Sequence, residues 1–362
     1  MASYRIAVIP GDGVGTEVST EATRVLDATA DVYGFSAETE WFDWSCDRYL
    51  EQGEMMPDSA LDTLKEFDAI YLGCIGDANK VPDHISLQML LDLRTGFDQY
   101  VNLRPIKLYP GVPTPVNTAN ADNLDMVVVR ENTEGEYSRM GGIFKQGTPD
   151  AVALQTGVFT YKGTERVIRY AFDLAKTRGK LDGGKVGRVT NCTKSNALNY
   201  SMVFWDSVYD EVAADFPEIE TDMALVDALT MWFVKNPDYF DVVVASNLFG
   251  DIITDLGAML QGGMGFAAGG NINPEKVYPS MFEPIHGSAP KYTGKARVNP
   301  IASIEATRMM LGHLGESEAA DGIERAVAAT LAAGEFRTAD IGGTSRTDEV
   351  GIEVTRRIKQ ED

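Results

Sequence analysis

The sequence predicts an α/β protein, and three features carry that expectation. Short apolar runs alternate with longer amphipathic ones: Ile6–Pro10 reads as a strand and Thr16–Tyr33 as a helix, and Ala69–Gly73 followed by Leu87–Arg94 repeats the pattern. Further strands are expected at Met126–Arg130, Val186–Thr190 and Val242–Ala245, each followed by a polar or glycine-bearing turn and a helical pattern. Finally, 362 residues of which 44% are hydrophobic can bury a large core and suffice for two lobes. No internal repeat or low-complexity stretch interrupts the alternation. The glycine-dense run Gly262-Gly263-Met264-Gly265-Phe266-Ala267-Ala268-Gly269-Gly270 suits a domain crossing or a close backbone approach better than regular structure.

Charge and composition narrow the class. A formal net charge of −22, from 54 acidic against 32 basic residues, repels polyanions and argues against nucleic acid as a partner. The excess is spread along the chain, so most of it is solvated surface. It is read as adaptation to a high-salt cytoplasm, with an ordinarily acidic mesophilic enzyme as the alternative. No uncharged apolar run reaches the roughly 18 residues of a membrane span, and Ile6–Ile9 is too short for a signal core, so a cytoplasmic protein with no membrane contact is expected. Cys46, Cys74 and Cys192 lie far apart and form no C-x-x-C pair, which points to buried free thiols.

Several segments offer chemistry. Gly11-Asp12-Gly13-Val14-Gly15 after an apolar strand resembles a dinucleotide loop, but Thr16 stands where the third small residue belongs and Asp12 would face a pyrophosphate; a tight turn is the better reading. Arg94 and Arg104 flank Phe97–Leu103, and Arg130 ends an apolar strand. A guanidinium in such a place needs an anion, either a dianionic acid held by all three or local Asp and Glu in structural ion pairs. In Asn247-Leu248-Phe249-Gly250-Asp251-Ile252-Ile253-Thr254-Asp255 the two carboxylates are four apart and stack on one helix face, where a magnesium or manganese ion would relieve their repulsion. Apolar neighbours make that helix read as largely buried, against the alternative of a solvated face, and Asp227 is a candidate third ligand. Glu283-Pro284-Ile285-His286-Gly287-Ser288-Ala289-Pro290 places an imidazole and a hydroxyl among small residues that a nucleotide could approach closely.

Taken together, these motifs resemble the β-decarboxylating dehydrogenases, the isopropylmalate and isocitrate dehydrogenase family, and most closely its tartrate/D-malate branch. Besides the segments above, the resemblance rests on Ile9–Gly13, Trp44–Asp47, Gly53–Pro57, Val81–Leu87, Phe97–Pro105, Arg130–Ser138 and Thr193–Asn196, and it covers nearly the whole chain. It implies a two-lobed isopropylmalate/isocitrate dehydrogenase-like α/β fold without the usual Rossmann dinucleotide motif. One lobe would come from 1–99 and 263–362 and hold much of the nucleotide site. The other, from 100–262, would carry the dimer interface and metal ligands, with the active site in the cleft. It further implies a homodimer with shared active sites, and Mg2+ or Mn2+ held by Asp227, Asp251 and Asp255. Arg94, Arg104 and Arg130 would bind substrate, with Tyr137 as acid and Lys194 as base, Lys194 and Asp227 reaching in from the partner. NAD or NADP would be bound by Glu283, His286, Gly287, Ser288, Ala289, Lys291, Tyr292, Asn299 and Asn196.

The implied reaction is oxidation, with or without decarboxylation, of a small 2-hydroxy diacid such as D-malate or tartrate. The alternatives are isopropylmalate or isocitrate as substrate and, more remotely, a catalytically inactive nucleotide-binding dimer. Leu87, Leu90 and Leu91, on the helix before Arg94, are the residues that could welcome an isopropyl group. Use of NADP is expected because Lys291-Tyr292 stands where the family's NAD-linked members carry an Asp. Arg337 or Arg346 could assist in binding the 2′-phosphate.

Overall fold

A computed structural model describes residues 2–181 and 185–360. The strands are β1 (Ser3–Gly11), β2 (Ser36–Trp41), β3 (Ala69–Cys74), β4 (Val101–Lys107), β5 (Asp125–Glu131), β6 (Gly135–Phe144), β7 (Val152–Val158), β8 (Gly187–Thr193), β9 (Ile219–Leu225), β10 (Val242–Ala245), β11 (Ala268–Ile272) and β12 (Ser280–Pro284). Two compact units emerge: unit 1 is Met1–Gln99, Lys107–Asp122 and Ala258–Asp362, and unit 2 is Tyr100–Ile106 and Asn123–Gly257. Compared with the division at 99 and 262, residues 107–122 and 258–262 therefore fall in unit 1. Two polar anchors tie the first of these there: Lys107 donates to Glu324, and the Tyr109 hydroxyl donates to buried Glu305 at 2.8 Å.

Unit 1 arranges its strands in the order β2-β1-β3-β12-β11. β1 runs parallel to β2 and β3, β12 is parallel to β3, and β11 is antiparallel to β12. Ile6, Ala7, Val8 and Ile9 are all buried, as a strand covered on both faces requires. One set of alternating residues, Ala7 and Ile9 with Ile70 and Leu72, packs against Trp44, Met89, Leu93 and Phe97. Met89 and Leu93 lie on the helix Asp83–Gly96, Phe97 follows its last residue, and Leu90 belongs to the same core. The glycine run departs from the irregular structure expected of it, because Gly269 and Gly270 lie in β11 opposite Glu283 and Phe282. Pairing with a buried neighbour overrides the poor strand propensity of glycine.

Unit 2 orders its strands β4-β5-β10-β8-β9, with β10 parallel to β5 and β8, and β8 parallel to β9. Helix Tyr161–Arg178 covers this sheet through Val167, Ile168, Ala171 and Phe172, and Phe172 stacks on Phe216 with centroids 5.1 Å apart. β6 and β7 form a separate antiparallel ribbon. All three cysteines are free and buried, and burial pushes their thiols well above the ordinary value. Among the described residues no helix is long and apolar enough to cross a membrane.

Candidate active site

The turn after β1 works as an internal brace. Gly13 has φ +59°, and a Cβ there would sit 2.0 Å from the Ser288 carbonyl oxygen. Val14 N–H donates to that same carbonyl at 2.8 Å, and the Asp12 carboxylate accepts from the amides of Cys46 and Gly76, both at 2.9 Å. The Ser288 hydroxyl in turn donates to the Gly76 carbonyl. The glycines thus serve a tight turn that fixes the Ser288 loop, and Asp12 is consumed by backbone amides.

In unit 2 one buried cation organises a cluster. Arg130, 1% exposed, is the penultimate residue of β5, opposite Ala245 of β10, so the helix Asn247–Leu260 that follows β10 starts beside its guanidinium. Positions 247, 250 and 251 share a helix face, and each answers the arginine. Asn247 Oδ1 accepts from Nε and Nη2 at 3.1 and 2.7 Å, and Asp251 Oδ1 accepts from Nη1 at 2.5 Å. Gly250 leaves room, since a Cβ there would lie 2.5 Å from Arg130 Cγ. The Tyr137 hydroxyl donates to the other Asp251 oxygen at 2.9 Å, while the Arg130 guanidinium stands 5.3 Å from the Tyr137 ring centre. Arg104, also buried, donates to Asn102 at 2.6 Å.

Asp255 follows Asp251 by one turn. Its carboxyl is held above the ordinary range by desolvation first and the Asp251 charge second, while Arg104 and Arg130 pull it down. The helix is less buried than its sequence predicts: Ile253 is enclosed, but Ile252 is 54% exposed. Asp227 lies elsewhere in the unit, in the first turn of helix Val226–Lys235, and accepts from Lys194 Nζ at 2.6 Å. That hydrogen bond holds Asp227 below the ordinary carboxyl range. Among the described residues of one chain no three His, Cys, Asp or Glu side chains gather as a cation site, so Asp227 does not join Asp251 and Asp255 within a protomer. Asn196 is exposed in the turn after β8.

Unit 1 holds the remaining predicted residues. Arg94 donates to Glu283 at 3.2 Å, and Asn271 donates to the same oxygen at 2.8 Å, so Glu283 is spent on its neighbours. A cavity of about 600 Å³ is lined by His286, Gly287, Ala289, Tyr292 and Asn299, all expected from the sequence. Met264, Gly265, Arg297, Val298, Ala339 and Asp340 also line it and were not anticipated. Val298 adjoins Asn299 in sequence, and no local signal marks the others. Burial holds the His286 ring below the ordinary histidine value, and its Nε2 is buried with no hydrogen-bond partner. Ser288 and Lys291 are not on the cavity wall. Lys291 instead lies over the Tyr292 ring, 4.8 Å from its centre.

Known sequences and structures agree with this architecture. The isocitrate/isopropylmalate dehydrogenase family matches residues 5–354, and the chain belongs to that family of oxidoreductases. It is 46% identical over 368 residues to a tartrate dehydrogenase/decarboxylase of Pseudomonas putida, covering 99% of each chain. It is 47% identical over 365 residues to the decarboxylating D-malate dehydrogenase of Escherichia coli K12, again covering 99% of each. The crystal structure of an isocitrate dehydrogenase from Methylococcus capsulatus superposes with a TM-score of 0.86 at 34% identity, covering 99% of this chain and 100% of that one.

Two carboxylates a helical turn apart, one raised in pKa by desolvation and then by the other's charge, are hard oxygen donors suited to Mg2+ or Mn2+, which commonly take one or two protein carboxylates and keep several waters. Asp251→Asn and Asp255→Asn should each weaken Mn2+ binding at least about tenfold in calorimetric titrations. Because a proton on Asp255 competes with the ion, parental affinity should fall as pH drops through the raised carboxyl value. Asp255→Asn should flatten that dependence. Parental affinity in either variant removes that residue from the donor set.

Proposed function

We propose that the protein oxidises a small 2-hydroxy diacid of the D-malate or tartrate type, passing hydride to NAD or NADP and releasing CO2 from the oxidised product. The observation that carries this reading is the buried Arg130 whose anionic partner, Asp251, also accepts from Tyr137. A buried guanidinium, a carboxylate pair and a phenol suit a dianionic substrate that gains and loses charge during reaction.

Arg94, Arg104 and Arg130 take the substrate carboxylates, and Asp251 and Asp255 hold Mg2+ or Mn2+. The ion, when bound, supplies Lewis acidity at the substrate's oxygen atoms. Lys194, as the neutral amine, receives the hydroxyl proton as C2 gives its hydride to the nicotinamide. The C–C bond to the distal carboxylate then breaks: CO2 leaves as a neutral molecule, the bonding pair stays with the remaining fragment as an enolate, and Tyr137 donates a proton to the carbon left behind. His286, Gly287, Ala289, Tyr292 and Asn299 form the coenzyme wall; the orphaned His286 Nε2 fits a polar ligand in this cavity.

The small substrate is favoured because Leu90 and Leu91 are buried, which leaves Leu87 as the exposed leucine of the three. On a panel with Mn2+, D-malate or a tartrate isomer should show a higher kcat/KM than 3-isopropylmalate and isocitrate, and chelation should abolish turnover reversibly. A higher value for isopropylmalate reassigns the substrate. No turnover on any member supports the inactive-dimer alternative.

We also infer a homodimer with shared sites. Unit 2 exposes Met140, Ile143, Phe144, Val152 and Leu154 on the β6–β7 ribbon, Val203 on helix Ser201–Ala213, and Met231 and Trp232 on helix Val226–Lys235. A two-stranded ribbon with so much apolar surface is marginal alone and is stabilised by a second copy. Lys194 and Asp227 then act in the partner's site. Lys194→Ala and Tyr137→Phe should each lower kcat about 10²- to 10⁴-fold. Once subunit exchange is verified, mixing them should restore part of the activity, and no restoration places each site within one chain.

A high-salt cytoplasm is the setting that the −22 charge favours. The melting temperature should rise between low and molar KCl. A flat or falling response leaves an ordinarily acidic enzyme.

A further inference from the structure

The coenzyme cavity contains a cation whose place no motif anticipated. Arg297 lies on the wall with Tyr292, Val298, Asn299 and Asp340, and among the described residues no carboxylate stands within ion-pairing distance of it. The wall carboxylate, Asp340, is already engaged: one oxygen accepts from the Thr338 hydroxyl at 2.5 Å and the other from Asn299 Nδ2 at 3.1 Å. Arg297 is thus an exposed residue of the cavity wall with no ion pair among the described residues.

The other cations in reach of sequence reasoning are spent or turned away. Lys291 is absent from the wall, its ammonium rests over the Tyr292 ring, and its carbonyl accepts from Lys295 Nζ. Arg337 donates to the Leu331 carbonyl at 3.3 Å. Arg346 is ion-paired with Asp348 at 2.9 Å.

We propose that Arg297, and not Lys291, reads the 2′-phosphate of NADP and sets the coenzyme preference of this protein. The inference rests on the reading of the cavity as the coenzyme site. A planar guanidinium can present two parallel N–H donors to a phosphate, whereas an ammonium acts as a point charge. Tyr292 and Val298 offer the apolar contact that an adenine ring needs, and Asn299 offers an amide. The negative charge of Asp340 opposes a phosphate, and Arg297 supplies the compensating charge on the same wall.

The test is calorimetric binding of adenosine 2′,5′-bisphosphate and adenosine 5′-monophosphate, at low salt, to the parent, Arg297→Met, Arg297→Lys and Lys291→Met. It is paired with kcat/KM for NADP and NAD. Loss of a charge-assisted hydrogen-bonding pair corresponds to roughly tenfold to a hundredfold in affinity. Arg297→Met should lose that much for the bisphosphate while binding the monophosphate within about twofold of the parent, and its NADP/NAD ratio should fall in step. Arg297→Lys should fall in between, and Lys291→Met should keep the parental ratio. The assignment is overturned if the parent does not distinguish the two nucleotides, if Arg297→Met leaves their ratio unchanged, or if Lys291→Met carries the loss. Failure of either nucleotide and of NADH to bind the parent overturns the coenzyme reading of the cavity itself, and this assignment with it.

Discussion

The site in unit 2 depends on the cost of burying one guanidinium. Arg130 is almost fully enclosed, and an enclosed cation without partners is unfavourable by several kcal/mol. Its place opposite Ala245 fixes where the solution must come from, because the next helix begins two residues later. Asn247, Gly250 and Asp251 then follow as a hydrogen-bond acceptor, a space and a counter-charge on one helix face. Asp251 brings Tyr137 with it, and the helical repeat brings Asp255 up beside Asp251. A structural need and a chemical site are thus met by the same residues. Removing Asp251 leaves the arginine short of its anion as well as removing the proposed metal donor.

The same cluster sets a condition on ligand binding. Asp251 accepts from Arg130 and Tyr137. On the proposed assignment, a divalent ion would have to compete for that carboxylate, and a dianionic substrate would have to compete for that guanidinium. Each ligand releases the group that the other needs, so the two should assist one another.

The fold was largely legible from the alternation of apolar runs, and the strands found at Ile6, Ala69, Met126 and Val242 lie where it placed them. The glycine run was misread because glycine's low intrinsic preference says nothing of a paired strand beside it. The helix Asn247–Leu260 was read as more buried than it is; Ile252 is as apolar as a core residue yet exposed in a single chain, and sequence does not distinguish a core from an interface. Among the residues of the cavity wall, His286 was legible because the Glu283–Pro290 segment carries it, and Asn299 through the family resemblance. Lys291 follows the same segment, and its ammonium stands 4.8 Å from the centre of the Tyr292 ring. Arg297 was illegible for the complementary reason: nothing local marks a surface arginine as the one that faces a cavity.

The most direct test of the partner exchange at Arg130 and Asp251 is a pair of calorimetric Mn2+ titrations, one alone and one with saturating D-malate. The expected result is Mn2+ affinity at least about tenfold higher in the presence of the diacid, with reciprocal tightening of D-malate by Mn2+. Equal affinities in the two titrations, or weaker binding with D-malate, would contradict the account.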